Sequence, residues 1–191
     1  MTEEEVKLNY ITPAIEEAGW TKKQMRMEYS ITAGKIVVRD NVAKRLPKMK
    51  ADYVLFYKEN LPLAVVEAKD NTHRVGDGMQ QALEYAEKLD VRFVFTSNGD
   101  NFLFHDRKLG TERIIELDEF PSPENLFNQE YESDLELYPD LKKIINEPYY
   151  FGEETFSPRY YQRIAINKTV EAIAKGQKRV LLVMATGTGK T

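Results

Sequence analysis

The alternation of apolar and polar positions is clearest over Ala51 to Lys69, ADYVLFYKENLPLAVVEAK. Side chains alternate in a strand, so Asp52, Val54 and Phe56 share one face of a first strand. Lys58 to Pro62 reads as a turn, with Asn60 and Pro62 breaking the pattern. In the second strand Val65, Glu67 and Lys69 share a face, opposite Ala64, Val66 and Ala68. Asp77 to Lys88 is rich in helix formers and predicts a helix directly after this hairpin. Upstream, Thr2 with Glu5 fits a capping box that opens a helix near residue 3. Thr12-Pro13 reads as an N-cap and first position of a second short helix, stopped by Gly19. Gln24–Ile31 and Lys35–Arg39 predict strands around Thr32-Ala33-Gly34, and Val91–Phe95, Asn101–His105 and Arg113–Leu117 predict three more. The order predicts an α/β fold, a mixed sheet flanked by helices.

The hairpin carries an unusual trio. If its strands pair side by side, Asp52 lies near Glu67 and Lys69, and charges on a mostly apolar hairpin are costly without a partner or a task. One reading is a structural ion pair at a sheet edge. The other is phosphodiester hydrolysis, in which two carboxylates hold Mg²⁺, a cation that prefers oxygen ligands. In that reading Lys69 orients water or stabilises the transition state. Gln81 and Tyr85 lie four apart on the following helix, so they project from one face.

Composition and charge refine the picture. The chain has 191 residues, no cysteine, two histidines (His73 and His105) and a formal charge of −4. Disulfides and thiolate metal sites are excluded, and a reducing cytoplasm is compatible. No apolar run approaches the ~18–20 residues of a membrane helix, and the acidic start lacks a signal-peptide pattern. The charge is unevenly spread: residues 1–120 carry 18 basic and 21 acidic side chains, 121–157 carry 2 and 9, and 158–191 carry 7 and 1. This predicts a domain over 1–120, an acidic linker over 121–157 punctuated by prolines, and a second domain beginning at 158. Within the linker Leu135–Ile145 has the spacing of a short helix, and the cluster Pro148–Phe151 calls for a packing partner. The basic run Lys35, Arg39, Lys44, Arg45, Lys48 and Lys50 is either a phosphate-contacting approach or a solvated charged loop. Arg74, in the connection Asp70–Gly76, is a further candidate phosphate contact, while His73 reads as incidental.

The end of the chain carries separate chemistry. A helix opened by Arg159-Tyr160-Tyr161-Gln162 and closed by Gly176 leads to the apolar run Arg179–Met184, expected as a buried strand. Ala185-Thr186-Gly187-Thr188-Gly189-Lys190-Thr191 follows. A strand, a glycine loop and Gly-Lys-Thr form a phosphate cradle, with Lys190 reaching the β/γ-phosphates and Thr191 ligating Mg²⁺. The helix that Lys190 and Thr191 should open and the acidic Mg²⁺ motif are not in the sequence. The expectation is a piece of a larger motor that does not hydrolyse ATP by itself.

Together, Asp52, Glu67-Ala68-Lys69 and Gln81-Ala82-Leu83-Glu84-Tyr85 resemble the PD-(D/E)xK nuclease motif and the Gln-x-x-x-Tyr motif of its RecB-like branch, with Ala51 in place of the Pro. The resemblance implies that Asp52 and Glu67 bind Mg²⁺, that Lys69 is catalytic and that Gln81 and Tyr85 position DNA or the site. In related nucleases a Glu of the first helix approaches the metal. Glu3 or Glu4 could take that part, but helix-dipole complementarity accounts for them and is the preferred reading. Ala185–Thr191 resembles motif I of superfamily 2 helicases, whose upstream Gln, here Gln162, reads adenine. Gln162, Gly187, Thr188, Gly189, Lys190 and Thr191 are then the nucleotide-binding candidates of a RecA-like motor.

This domain order, with Ala18-Gly19-Trp20, Ala51-Asp52-Tyr53 and Ser97-Asn98-Gly99, resembles the R subunit of type I restriction–modification enzymes. The resemblance implies Mg²⁺-dependent cleavage of double-stranded DNA after ATP-driven translocation by the whole subunit. It also implies methyltransferase and specificity subunits as partners, a cytoplasmic place and no membrane. The alternatives are a nuclease–helicase of another defence or repair system, and a catalytically idle DNA-binding module.

Overall fold

A computed structural model describes residues 1–32, 36–39, 42–45, 49–148 and 158–184. The described residues fall into two compact units, Met1–Phe127 and Asn128–Thr191.

The first unit is built on a six-stranded sheet in the order β1-β4-β5-β6-β7-β8, from β1 (Met25–Thr32), β4 (Met49–Lys58), β5 (Leu61–Ala68), β6 (Phe93–Ser97), β7 (Phe102–Asp106) and β8 (Thr111–Ile115). β5 and β6 pair in parallel and the other neighbours antiparallel, so the sheet is mixed as expected. The parallel step needs a crossover, and α3 (Met79–Leu89) supplies it. β4 and β5 are central, and Tyr53 to Phe56 and Leu63 to Val66 are all buried. A strand covered on both faces reads as a nearly continuous apolar run. Phe95, Phe102, Phe104 and Phe120 stack on the far half of the sheet with centroids 4.7–6.3 Å apart. Trp20 is buried and donates its indole N–H to the Pro121 carbonyl at 2.9 Å, tying the start of the unit to its end.

The expected hairpin forms with one correction. Its turn is Glu59-Asn60, with Asn60 at φ 69°, and Leu61 and Pro62 already belong to β5. Asn tolerates the left-handed region, and Pro is acceptable at a strand start where the ladder is irregular, as it is beside Phe56.

The start of the chain differs more. The Thr2–Glu5 capping box is present and opens α1 (Glu3–Val6). Thr12 is not an N-cap: α1 continues through a π-helical turn, Lys7–Ile11, into α2 (Thr12–Glu17) without a break. Thr12 instead shares a hydrogen bond with the Tyr53 hydroxyl at 2.9 Å. Pro13 has no amide to give, so a widened turn before it can absorb the mismatch where a second start was expected.

β2 (Ile36–Arg39) has a partner that the pattern did not show. It pairs with β3 (Val42–Arg45) in a separate two-stranded ladder rather than joining the main sheet. Arg39, Lys44 and Arg45 of the basic run lie on that ladder; Lys35 and Lys48 lie outside the described residues.

The acidic stretch after Pro121 is largely helical. α4 (Pro123–Leu137) has a break at Tyr131, and α5 (Leu141–Asn146) follows after Pro139. Pro139 explains why the helix expected over 135–145 is divided. In the second unit α6 (Tyr160–Ala174) ends at Gly176, φ 76°, as expected. Lys175 bridges Asp134 at 2.8 Å and Glu171 at 2.7 Å. The strand expected over Arg179–Met184 is not there: those residues carry no regular structure, and Leu181 and Val183 are each 87% exposed. A strand needs a neighbouring strand for its backbone groups, and among the described residues no strand ladder includes this run. Tyr149–Phe151 and the glycine loop 185–191 lie outside the described residues.

Asp106 closes β7 and is almost fully buried, gripped by Arg92 at 2.8 and 2.7 Å and by the amides of Lys108 and Leu109. Removing one partner strands a buried charge, so Asp106→Ala should cost about 3–5 kcal/mol of stability in urea titration.

Candidate active site

The register of β4 against β5 creates the site. Tyr53 pairs with Val66 in the antiparallel ladder, which sets Asp52 beside the end of β5. There Asp52 Oδ2 accepts the backbone N–H of Ala68 at 2.8 Å. A side chain thus takes over the ladder where it ends, and Asp52 is bound at Ala68, which lies between Glu67 and Lys69 in sequence. Lys69 lies just past β5, its backbone N–H donating to the Ser97 carbonyl at 2.9 Å. Its ammonium stands 3.6 Å from Glu67 Oε1 and is 22% exposed, so it faces both the carboxylate and the solvent.

α3 leans over this pair as its position predicts. Gln81 Nε2 donates to Glu67 Oε1 at 2.7 Å and to the Tyr85 hydroxyl at 2.7 Å. The single amide thereby fixes Glu67 and lines up Tyr85 behind it. The helix can come this close because its N-cap is Gly78: a Cβ there would stand 3.1 Å from Glu67 Cγ and 3.3 Å from Lys69 Cε. Thr96 and Asn98 of the neighbouring strand and turn hold the connecting loop through the carbonyls of Val75 and His73. Asp52, Glu67, Lys69, Gln81 and Tyr85 are therefore brought together in one cluster.

The electrostatics are uneven. Glu67 is 3% exposed, and its Oε2 is buried without a hydrogen-bond partner. Burial, and then the negative charge of Asp52, push its carboxyl up to about 7, against the pull of Lys69. Burial also raises the Tyr85 hydroxyl. An orphaned carboxylate oxygen beside a second carboxylate fits a hard divalent cation, which would supply the missing partner and cancel the repulsion. Among the described residues no group of three or more His, Cys, Asp or Glu is placed to hold a metal ion.

Two residues of the cluster were not singled out in the sequence. Lys7, on the π turn, is 2% exposed and donates to Asp52 Oδ1 at 3.0 Å. Glu28 of β1 accepts from the same ammonium at 2.9 Å. Lys7 could have been found, since it takes an apolar place in the stripe Lys7, Ile11, Ile15 at helical spacing. Nothing in the strand pattern distinguishes Glu28. Glu3 and Glu4 occupy the first turn, where the dipole favours them, and they also face the site. Glu3 is 4.0 Å from Lys69 and Glu4 is 2.7 Å from Lys7, so helix-dipole complementarity alone does not account for them.

Of the remaining candidates among the described residues, Lys50 reaches this cluster through Glu28 and the others stand apart. Arg74 is exposed, its backbone N–H bound to Asp77, and His73 pairs with Asp70 at 3.0 Å. Lys50 of the basic run pairs with Glu28. In the second unit the Gln162 side chain accepts the Arg159 backbone N–H at 2.9 Å and serves as a helix cap. Gly187, Thr188, Gly189, Lys190 and Thr191 lie outside the described residues.

The raised Glu67 carboxyl makes the metal-free fold sensitive to pH. Below its ordinary value of 4.5 the group is protonated folded or unfolded and costs nothing. Between 4.5 and about 7 the unfolded chain ionises this group while the folded state holds its proton, so the stability it contributes falls across that interval and is fully lost above it. Glu67→Gln should therefore gain on the order of 3 kcal/mol over the native chain at pH 8, and little at pH 4, in urea titrations with a chelator present.

Comparison with known proteins agrees with this architecture. Residues 2–121 match the family described as type I restriction enzyme R protein N terminus, and residues 155–191 match the type III restriction enzyme res subunit family. The chain is 47% identical over 200 aligned residues to the type I restriction enzyme EcoAI endonuclease subunit of Escherichia coli, covering 100% of this chain and 24% of that protein. It is 52% identical over 40 residues to the EcoKI endonuclease subunit of E. coli K12, covering 21% of this chain and 3% of the relative. A solved fragment from Vibrio vulnificus, assigned as an HsdR subunit of a type I restriction enzyme, superposes with a TM-score of 0.85 at 37% identity, over 100% of this chain and 36% of that one. The chain thus spans about a quarter of the length of the EcoAI relative. With a family match over most of its length and a relative of this identity covering all of it, the chain belongs to the type I restriction enzyme R proteins, as their N-terminal region.

Proposed function

We propose that residues 2–121 form the DNA-cleaving domain of the R subunit, hydrolysing phosphodiester bonds of double-stranded DNA with Mg²⁺. The observation that carries this reading is the buried, unpartnered Oε2 of Glu67 beside Asp52 and Lys69. Asp52 and Glu67 would hold the cation, which supplies Lewis-acid charge to a phosphate and acidity to a water. Gln81 keeps Glu67 from rotating away, and Tyr85 keeps Gln81 in place. Lys69, half turned to solvent, orients an incoming water or meets charge developing on the phosphate. Ala68 N–H keeps one Asp52 oxygen fixed, so the ligand pair is set before DNA arrives.

The second unit reads as the start of an ATP-driven motor in the longer protein. There Gln162 contacts adenine, while Gly187, Thr188, Gly189, Lys190 and Thr191 cradle the phosphates of ATP–Mg²⁺. Translocation by that motor feeds DNA to the nuclease, and methyltransferase and specificity subunits choose where it starts. The site of action is cytoplasmic. Among the described residues no helix is long and apolar enough to cross a membrane.

In the complete subunit, assembled with its partners, Asp52→Ala, Glu67→Ala or Lys69→Ala should each lower DNA cleavage by at least about 100-fold. ATP hydrolysis should stay within about twofold of the native rate, because the motor chemistry lies elsewhere. Full cleavage by the Asp52 and Glu67 variants would overturn the assignment. A native complex that binds DNA and consumes ATP without cutting would favour an idle module.

A further inference from the structure

Lys7 is a buried ammonium among carboxylates, not an exposed side chain of the first helix. An ammonium that is 2% exposed is costly, and the turn that carries it is the π-helical turn of the first helix. A π turn inserts one residue into the helix, so the segment before it is rotated relative to α2. From this turn Lys7 reaches Asp52, and Glu3 and Glu4 of the preceding turn reach Lys7. The three ammonium hydrogens match three oxygens: Glu4 Oε1 at 2.7 Å, Glu28 Oε1 at 2.9 Å and Asp52 Oδ1 at 3.0 Å. Glu3 Oε1 is 3.5 Å away.

Glu28 gives a second, independent observation. Among the described residues three that are not glycine have positive φ: Glu28, Asn60 and Asp90. Asn60 is a hairpin turn and Asp90 a helix C-cap, where short polar side chains tolerate that region. Glu28, at φ 51°, lies within β1, where no turn or cap requires it. Its neighbours Met27 and Tyr29 pair with Tyr53 and Ala51, so the distortion falls opposite Asp52. Backbone strain of this kind persists where the surroundings hold it, and it clusters at functional sites. Here it turns the Glu28 carboxylate onto Lys7. Around the cluster five carboxylates, Glu3, Glu4, Glu28, Asp52 and Glu67, meet three ammoniums, Lys7, Lys50 and Lys69.

We propose that Lys7 is a positioning residue of the nuclease site: a resident cation, shared between Asp52, Glu4 and Glu28, that holds Asp52 in place and sets how tightly Asp52 and Glu67 take a divalent cation. Glu28 tunes this by drawing part of the ammonium's charge away from Asp52. The inference rests on the reading of Asp52 and Glu67 as cation ligands.

Titration calorimetry of this chain with Mn²⁺ tests it. Lys7→Met removes a fixed positive charge beside a ligand and should tighten Mn²⁺ binding at least about threefold. Glu28→Gln leaves Lys7 more fully on Asp52 and should weaken binding at least about twofold. Lys7→Arg keeps the charge and should shift the affinity less than Lys7→Met. A merely structural role would lower the melting temperature in the first two variants without moving the Mn²⁺ affinity in opposite directions. If Lys7→Met does not fold, Glu28→Gln decides alone, and unchanged or tighter binding there overturns the inference. Mn²⁺ binding that Asp52→Ala abolishes but that Lys7→Met and Glu28→Gln leave unmoved overturns the role of Lys7 and keeps the cation site. No Mn²⁺ binding by the native chain overturns both.

Discussion

The bond from the Ala68 amide to Asp52 Oδ2, 2.8 Å long, is the constraint on which the site depends. It closes the β4–β5 ladder with a side chain in place of a carbonyl, at the point where the strand yields to Glu67 and Lys69. Because the donor sits between those two residues in sequence, neither can shift without moving Asp52. The parallel β5–β6 ladder fixes the other side, with Glu67 paired to Thr96 and Ala68 to Ser97. The geometry of the carboxylates is thus a property of the sheet and not of a loop, and rigid elements place functional groups more closely than loops can.

Charge is concentrated where the sheet would otherwise be apolar. Glu67 and Lys7 are both nearly sealed, one with an oxygen unsatisfied and the other with every donor committed. Desolvation makes such groups expensive, and their cost is offset only by partners inside the fold. For Lys7 those partners are present. For Glu67 Oε2 among the described residues none is, and that asymmetry is what the proposed cation site rests on. Gly78 belongs to the same logic, since only the residue without a Cβ lets α3 settle against Glu67 and Lys69 without displacing them.

The family assignment covers residues 2–121 of the sheet unit, and the second compact unit begins at Asn128, within α4. α4 and α5 form in the acidic stretch because glutamate, leucine and lysine are good helix formers and the large apolar side chains among them can be buried. Leu126, Phe127, Leu141 and Ile145 are buried. Low apolar content and prolines alone read as a linker, whereas the spacing of these few large side chains decides for helix.

The sequence by itself determined the α/β order, the hairpin, the crossover helix and the faces on which Asp52, Glu67, Lys69, Gln81 and Tyr85 stand, while their grouping as one site was what the family resemblance implied. The order, elements and faces rest on local periodicity: alternation of two in the strands and a spacing of four on the helix put the residues on the right faces. Only the tertiary structure decided the rest. It joined the first two helices through a π turn, sent β2 to β3 instead of to the main sheet, and left Arg179–Met184 without a strand. It also brought Lys7 and Glu28 to Asp52 across 45 and 24 residues of chain. The physical reason is the same in each case. Periodicity reports which face of an element is buried, but a hydrogen bond to a distant strand, a widened turn or a left-handed glutamate depends on which neighbour arrives there, and one element's pattern does not hold that information.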